Sequence, residues 1–357
     1  MMREVPQLAG VLTREQVAQT AAAIATVQEA DGAIPWTAGD QVDAWNHIEA
    51  AMALVAGGEV DAAHAAYDWC LSTQRADGSW PMRLRGGEVV DAATESNMCA
   101  YLAVGVWHHW LVRADKSFVQ RMWPSVQAGL DVVAGMQLPA GGISWARGVD
   151  GGLLDEALLT GSSSIYHALV AGLAIADVMG EQRPDWEIAG GRLQHALRSH
   201  PDGFADKSTF SMDWYYPVLG GALRGDDGAA RIASRWDDFV VQGLGARCVS
   251  PNPWVTGAET CELALALDCL GDSNRAISLV RDMQHLRADD GGYWTGYVYA
   301  DDAIWPEEHT TYTSAAVILA ADALSNTTGG AGIFGGTGLR ESLPELDLTC
   351  TCALSHP

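Results

Sequence analysis

The segment Gln28-Glu-Ala-Asp31-Gly32-Ala-Ile-Pro35-Trp36 introduces a pattern that returns along the chain. In each copy a helical stretch ends in Gln or a related residue, a Gly-containing turn carries an aromatic residue, and an acidic residue then opens a helix rich in small apolar residues. Further copies lie at 74–81, 137–145, 200–204 and 286–294. A spacing of roughly 45 to 65 residues indicates a repeat architecture, in which neighbouring units bury each other's apolar faces.

Helical periodicity dominates the chain, and no convincing alternating strand is found. The pattern predicts twelve helices in six pairs, at about 13–28, 43–56, 60–74, 92–112, 117–137, 161–179, 184–198, 212–223, 228–242, 257–270, 273–286 and 307–324. The first helix of each pair carries charge on one face, whereas the second is apolar nearly all round and must be surrounded by protein. The predicted fold is therefore all-α: an (α/α)6 barrel of six inner and six outer helices, with the Gly/Trp turns around its mouth.

The repeats predict a single barrel domain over residues 1–324. The sequence from 325 to 357 is predicted to be a Gly-rich linker followed by a loose tail with little core. Seven Cys residues are present, and the four that fall within helical apolar patterns are expected to be reduced, buried thiols: Cys70, Cys99, Cys261 and Cys269.

The charge balance restricts the partners of the protein. With 21 basic and 45 acidic residues the formal net charge is -24, which disfavours nucleic acid and anionic membrane surfaces and suits a neutral substrate. No apolar run approaching the ~18 residues of a membrane span is apparent in the sequence. No secretion signal is visible at the N-terminus, so a cytoplasmic location is expected. The oligomeric state is not indicated.

The repeated turns resemble those of the prenyltransferase and squalene-cyclase-like (α/α)6 barrels, over about 13–324. In lipidating prenyltransferases the resemblance implies zinc held by Asp-x-Cys and a later His. The corresponding Glu259-Thr-Cys261 and His309 depart from that pattern at the first ligand, so neither a metal nor another cofactor is predicted. The acidic motif of the triterpene cyclases corresponds to Asp301-Asp302, which lacks the first acid.

The same architecture resembles many glycoside hydrolases, in which carboxylates from inner-helix N-termini face each other across an aromatic-lined cleft. The chain also resembles the actinobacterial prenyltransferase-like proteins that include an enzyme cutting intracellular methylmannose polysaccharide. This resemblance implies an endo-α-1,4-mannanase that acts on an oligo- or polysaccharide.

Glycoside cleavage needs one protonated and one ionised carboxyl group. Glu262 lies in an apolar run, where burial raises a carboxyl pKa as a proton donor requires. Asp43 shares a helical face with Asn46 and His47, three and four residues on, and is predicted to be the ionised base. The alternatives are an N-cap role for Asp43 and a buried Arg or His partner for Glu262. Their helices are two positions apart in the ring, which favours inversion.

Polar and aromatic residues near the same rim are predicted to bind the sugar. Four of them form the run Asp213-Trp-Tyr-Tyr216, whose polar tips are not expected to be buried together. The alternative is that some of the aromatic residues pack the turn against its own helix and that His167 and His309 are structural. The predicted substrate-binding residues are Trp36, Asn46, His47, Glu95, Tyr101, His167, Asp213, Trp214, Tyr215, Tyr216, Trp254, Glu259, Trp294, Tyr297, Trp305, Glu308 and His309.

Three functions fit these features. The preferred one is a glycoside hydrolase that cleaves an intracellular oligo- or polysaccharide. A terpene cyclase or prenyltransferase would need a diphosphate pocket, and the rim supplies only Arg83, Arg85 and Arg147 for it. A non-catalytic carbohydrate-binding barrel would keep the aromatic residues without a carboxylate pair.

Overall fold

The computed structural model describes residues 4–340 and 343, and it is mainly helical. The helices in the described residues are α1 (Arg14–Val27), α2 (Ala44–Gly57), α3 (Val60–Thr73), α4 (Ser96–Ala100), α5 (Leu102–Arg113), α6 (Lys116–Gly135), α7 (Leu159–Met179), α8 (Pro184–Ser199), α9 (Ser211–Leu219), α10 (Gly225–Ser234), α11 (Trp236–Phe239), α12 (Gly257–Cys269), α13 (Ser273–Asp282) and α14 (Thr311–Ser325). They occupy the twelve predicted positions. Two of these positions hold a pair of helices each, divided at Tyr101 and at Arg235.

Six of the helices form an inner set. α2, α5, α7, α9, α12 and α14 pack against one another in that order, and α14 packs against α2. α1, α3, α6, α8, α10 and α13 pack against members of this set from outside. Apolar surface on all sides of the inner helices is thereby removed from water, as their sequences predict.

Helix α7 corrects one expectation. Leu159–Met179 is long and apolar enough to cross a membrane, although the sequence interpretation found no such run. In the structure, 94% of its apolar window is buried by surrounding protein, as in the central helix of a core.

Short strands join the loops that precede the inner helices. They are β1 (Gln41–Val42), β2 (Arg83–Arg85), β3 (Glu88–Asp91), β4 (Thr94–Glu95), β5 (Ala146–Arg147), β6 (Val240–Val241), β7 (Gly245–Arg247), β8 (Trp254–Thr256), β9 (Gly296–Val298) and β10 (Ala303–Ile304). All pairings are antiparallel, in the orders β1-β2-β3, β4-β5 and β10-β9-β8-β7-β6. The expectation that the chain has no strands was therefore wrong, because segments of two to four residues are too short to show alternation.

The repeated Gln links neighbouring repeats by hydrogen bonds, and we call this pair of bonds a Gln bracket. The side-chain amide of Gln28 donates to the backbone oxygen of Gly32 in its own turn and to that of Ala62 in the next outer helix, both at 2.9 Å. Gln74 and Gln137 make the same two kinds of bond. Each repeat is thus fixed to the next through buried backbone groups that need partners.

The turn glycine is required by its conformation and by its neighbour. Gly32 has φ +96°, and a Cβ atom there would lie 2.2 Å from the backbone oxygen of Ala65. The last copy of the turn contacts the first helix, α1. There the Thr20 Oγ1 donates a hydrogen bond to the Gly291 backbone oxygen at 2.8 Å. The first and last repeats are therefore in direct contact.

The segment after α14 packs against the end of the inner helices opposite the strands. Phe334 is 6% exposed, its ring centroid lies 5.5 Å from that of His167, and its backbone oxygen accepts a hydrogen bond from Arg224. Residues 326–340 thus form packed turns. The rest of the predicted tail, with Cys350 and Cys352, lies outside the described residues. Cys70, Cys99 and Cys261 are buried free thiols, and Cys269 is a half-buried one.

Candidate active site

Two predicted carboxylates cap helices α2 and α4 at the end of the molecule that carries the strands. Asp43 is the N-cap of α2, and its Oδ1 accepts from the Asn46 backbone N–H at 2.9 Å. Its Oδ2 accepts from Trp36 Nε1 at 2.6 Å and from Asn46 Nδ2 at 2.7 Å. Asp43 is thus an N-cap, and its role as the base stays a prediction. Asp43 is 2% exposed. Its three hydrogen-bond donors hold the carboxyl group in one orientation.

Glu95 is the N-cap of α4 and is half-buried. Its Oε2 accepts from the Met98 backbone N–H at 2.7 Å. Burial raises the pKa of Glu95 to about 7, and the nearby charge of Asp43 adds to the rise. A half-buried carboxyl group with this pKa is partly protonated at neutral pH, which a general acid requires.

Glu262 lies deeper, on the side of α12 that faces α9. It is 3% exposed, its Oε1 accepts from the Tyr216 hydroxyl at 2.7 Å, and its Oε2 accepts from the Tyr215 hydroxyl. Burial raises the pKa of Glu262 to about 8, although the two tyrosine hydrogen bonds act in the opposite direction. The structure thus supports a raised pKa, and the partners are tyrosines rather than Arg or His.

A second buried carboxyl group, Glu49 of α2, was not identified from the sequence. It is 2% exposed, and the Tyr101 hydroxyl donates to its Oε2 at 3.5 Å. Burial first, and then the charge of Glu262, raise its pKa well above the usual value. The sequence does contain a signal for it, because Glu49 interrupts an apolar helical run. Glu262 interrupts such a run in the same way.

A small inner cavity lies between these groups. Its volume is about 10 Å³, and Glu49, Glu262, Tyr101 and Tyr216 line it together with His167. This is about the space that one water molecule needs. In this conformation a sugar therefore cannot reach the Glu262 carboxyl group through the cavity.

Glu259 lies one helical turn before Glu262 and is half-buried. Burial first, and then the charge of Glu259 and its hydrogen bond with Cys248, raise the pKa of that thiol. Burial, and then the charge of Glu259, also raise the pKa of Tyr312, whose ring meets that of Trp36 edge to face at a centroid distance of 5.5 Å. Glu259 and Asp43 thus flank one aromatic pair at the start of the inner helices.

Other predicted rim residues lie in the loops of β8, β9 and β10. Trp254 Nε1 donates to the Trp305 backbone oxygen at 2.7 Å, and Trp305 is 57% exposed. The Tyr297 hydroxyl donates to Asp302 at 2.6 Å. Three further predicted rim residues lie in the same loops. Glu308 is exposed, and the rings of Trp294 and His309 are in contact. Their role in sugar binding stays a prediction.

The expectation that Asp213 to Tyr216 are not buried together was wrong. Their residues are 6%, 2%, 0% and 4% exposed, because each polar tip has a protein partner. Asp213 accepts from Thr160 at 2.7 Å, and Trp214 Nε1 donates to the Arg231 backbone oxygen at 2.8 Å. The two tyrosines donate to Glu262 as described above.

The His47 ring makes no hydrogen bond to the Asp43 carboxyl group, although the two residues share a predicted helical face. Its ring accepts from the Ile34 backbone N–H at 3.0 Å and lies 2.9 Å from the Ala66 backbone oxygen. Burial lowers the pKa of His47 to about 4. The prediction that the His47 side chain holds the Asp43 carboxyl group was therefore wrong. His167 is likewise buried, with its pKa lowered to about 4, and lines the inner cavity.

The residues proposed for zinc by the prenyltransferase resemblance lie in different surroundings. Cys261 is fully buried in the core, whereas Glu259 and His309 are half-buried. Among the described residues, no group of three or more His, Cys, Asp and Glu side chains is placed to hold a metal ion.

Comparison with known proteins gives one strong sequence match. The chain is 57% identical over 352 residues to the MMP endo-(1,4)-3-O-methyl-alpha-D-mannosidase of Mycolicibacterium hassiacum, covering 99% of this chain and 98% of that protein. No family model matches the chain.

Solved structures with low sequence identity share the fold. A glycosidase in complex with glucose superposes with a TM-score of 0.71 at 15% identity, covering 88% of this chain and 97% of the other. A GH63 mannosylglycerate hydrolase from Thermus thermophilus gives 0.64 at 13% identity, with 85% and 99% covered. A D-mannose isomerase gives 0.63 at 10% identity, with 86% and 96% covered.

Proposed function

Since this chain belongs to the family of the MMP endo-(1,4)-3-O-methyl-alpha-D-mannosidase, we propose that it cleaves internal α-(1,4) bonds between 3-O-methylmannose units of a polysaccharide. The observation that carries the proposal is the 57% identity over nearly the whole of both chains. The chain is a glycoside hydrolase. Its cytoplasmic location and the exclusion of nucleic acid and membrane partners stay predictions.

We propose that the inner and outer helices form a closed (α/α)6 barrel. Three observations support closure. The first two are the cyclic packing order of the inner helices and the bond from Thr20 to the last repeated turn. A third is the first repeated turn, where the Thr311 backbone N–H donates to the Trp36 oxygen at 2.9 Å. The mouth of this barrel is the end at which Asp43 and Glu95 cap their helices.

The proposed chemistry uses Asp43 as the base that activates water and a protonated carboxyl group as the acid that donates to the leaving oxygen. Glu262 is the proposed donor, because its raised pKa keeps it protonated at neutral pH. Opening of the inner cavity is then part of substrate binding. Glu95 is the competing donor, because it is half-buried beside Asp43 and its pKa is also raised. Inversion of the anomeric centre is the proposed outcome.

The function is tested by digestion of a glycan panel, with products read by mass spectrometry and anomeric configuration read by NMR. The panel contains 3-O-methylated and unmethylated α-(1,4)-mannans. We expect internal cleavage of the methylated chains. If the parent protein cleaves no α-(1,4)-mannan, the proposed function is wrong.

The two donor assignments are separated by isosteric variants. Loss of a general acid or base costs about 10²- to 10⁴-fold in rate, so Asp43→Asn and the true donor variant should both lose at least about a hundredfold. Glu262→Gln is compared with Glu95→Gln, and Glu59→Gln, at the opposite end of α2, is the control. If Glu262→Gln stays within about tenfold of the parent while Glu95→Gln does not, the donor is Glu95.

A further inference from the structure

A second, larger cavity opens beside the first turns of α7 and α9 and the last turn of α10. Its volume of about 440 Å³ falls within the range of small-molecule sites. We call it the flank cavity, and its lining is Leu159, Pro201, Asp202, Phe204, Ala205, Asp206, Lys207, Ser208, Asp213, Trp214, Arg231, Ser234 and Arg235.

The flank cavity and the inner cavity lie on different sides of α9. Tyr216 lines the inner cavity and bonds to Glu262. Asp213 and Trp214, two to three residues earlier, line the flank cavity. The first turns of the inner helices begin at the mouth, so the flank cavity opens at the same end of the molecule as Asp43 and Glu95 but at a different place.

The charges that line the flank cavity balance. Three basic residues face three acidic ones in a chain whose formal net charge is -24. Arg231 is held by hydrogen bonds from Nε to the Trp214 oxygen at 2.8 Å and from Nη2 to the Asp213 oxygen at 2.7 Å. Lys207 makes no ion pair within the described part of the chain. A balanced set of donors and acceptors suits a neutral ligand with many hydroxyl groups better than an anion or a cation.

Apolar groups complete the lining. Leu159, Phe204 and Trp214 contribute aliphatic and aromatic surface beside the charged groups. A methylated sugar combines hydroxyl groups with apolar C–H and O-methyl groups, so its chemistry matches both parts of this wall.

We propose that the flank cavity is a secondary binding site for a 3-O-methylmannose segment of the polysaccharide, outside the place of cleavage. The proposal rests on the proposed function. A long chain held at the flank cavity stays near the mouth, which raises the effective concentration of its cleavable bonds. A short oligosaccharide that fills only the mouth does not gain this advantage.

The test compares a 3-O-methylmannose polysaccharide with a 3-O-methylmannose tetrasaccharide as ligands, by calorimetric titration and by KM. Ser234→Trp fills the flank cavity, and Lys207→Ala removes an unpaired donor. Ser278→Trp is the matched control, because Ser278 is also an exposed helical serine whose hydroxyl bonds to a backbone oxygen of its own helix. We expect Ser234→Trp to weaken binding of the polysaccharide about tenfold, and the tetrasaccharide less than twofold.

Each outcome decides the proposal. If Ser234→Trp and Lys207→Ala both leave the polysaccharide affinity within twofold of the parent, the flank cavity is not a binding site. If both weaken the tetrasaccharide equally, the cavity belongs to the cleavage site and the proposal is wrong. If Ser234→Trp does not fold, Lys207→Ala decides. A parent protein that cleaves neither ligand overturns the proposed function itself, and that measurement comes first.

Discussion

Burial and two tyrosine hydroxyls act in opposite directions on the pKa of Glu262. Burial raises the pKa of Glu262 to about 8, and the bonds from Tyr215 and Tyr216 lower it from what burial alone would give. Tyr216→Phe removes one of these bonds, so the pKa of Glu262 should rise further. If Glu262 is the proton donor, the alkaline limb of the kcat/KM profile moves to higher pH. The measurement is that profile on the methylated polysaccharide.

Tyr293→Phe is the control for this prediction. The Tyr293 hydroxyl is also in a fully buried residue, but it donates to the neutral side chain of Gln284 at 2.8 Å. Both variants should lose about 1–3 kcal/mol of unfolding free energy, because Tyr216→Phe leaves the buried Glu262 and Tyr293→Phe the half-buried Gln284 without a donor. Only Tyr216→Phe should move the alkaline limb. An unmoved limb in an active Tyr216→Phe protein means that Glu262 does not donate the proton.

Sequence reasoning at the residue scale succeeds where a local signal is sufficient. Glu262 stands in an apolar run and Asp43 precedes an apolar helix, and each is found in the predicted surroundings. Helical spacing does not, however, specify the direction of a side chain, and His47 turns to Ala66 rather than to Asp43. The partners of Asp213 are remote in sequence, so its burial could not be inferred from its neighbours.

At the element scale, the Gln brackets fix each repeated turn to the next outer helix. Gln74 donates to Gly78 at 2.8 Å and to the Ser125 backbone oxygen at 3.0 Å, and its own oxygen accepts from the Ser125 hydroxyl at 2.6 Å. Gln74→Ala removes all three bonds and leaves half-buried groups unsatisfied, so about 2–4 kcal/mol of unfolding free energy should be lost. Urea unfolding followed by circular dichroism measures this. The exposed Gln120→Ala should change it by less than about 0.5 kcal/mol, and an equal loss in both would disprove the bracket.

Helices were predictable element by element, whereas the strands were not. α1 shows the reason for the success: Thr13 and Gln16 form a capping box, a signal contained in four consecutive residues. Strands such as β8 and β9 pair residues from different loops, as Thr256 with Gly296. Two or three residues carry no period, and the pairing depends on the way the helices bring the loops together.

At the scale of the whole molecule, several buried histidines make stability depend on pH. Burial lowers the pKa values of His47, His108 and His167 to about 4. The folded protein keeps these rings neutral, whereas the unfolded chain binds protons below about pH 6.5. Their contribution to stability is therefore fully present above pH 6.5 and is lost as the pH falls through 4.

Buried carboxyl groups act in the opposite direction. Burial raises the pKa of Glu95 to about 7, that of Glu262 to about 8 and that of Glu49 well above its usual value. The folded protein keeps them protonated, whereas the unfolded chain releases these protons above about pH 4.5. Their contribution is present below that pH and is lost as the pH rises to the folded pKa values. The free energy of unfolding should therefore peak between the two unfolded-state pKa values, at about pH 5.5.

The variant Glu49→Gln tests the contribution of one buried carboxyl group to the loss of stability at alkaline pH. The amide keeps an acceptor for the Tyr101 hydroxyl but does not ionise, so unfolding no longer releases that proton. The alkaline decline of the unfolding free energy should become shallower by about 1.4 kcal/mol per pH unit, the amount that one proton contributes. Urea unfolding between pH 5 and pH 9 measures the slope, and Glu88→Gln, at an exposed position of β3, is the control. Parallel slopes for Glu49→Gln and the parent would show that Glu49 is already ionised in the folded protein.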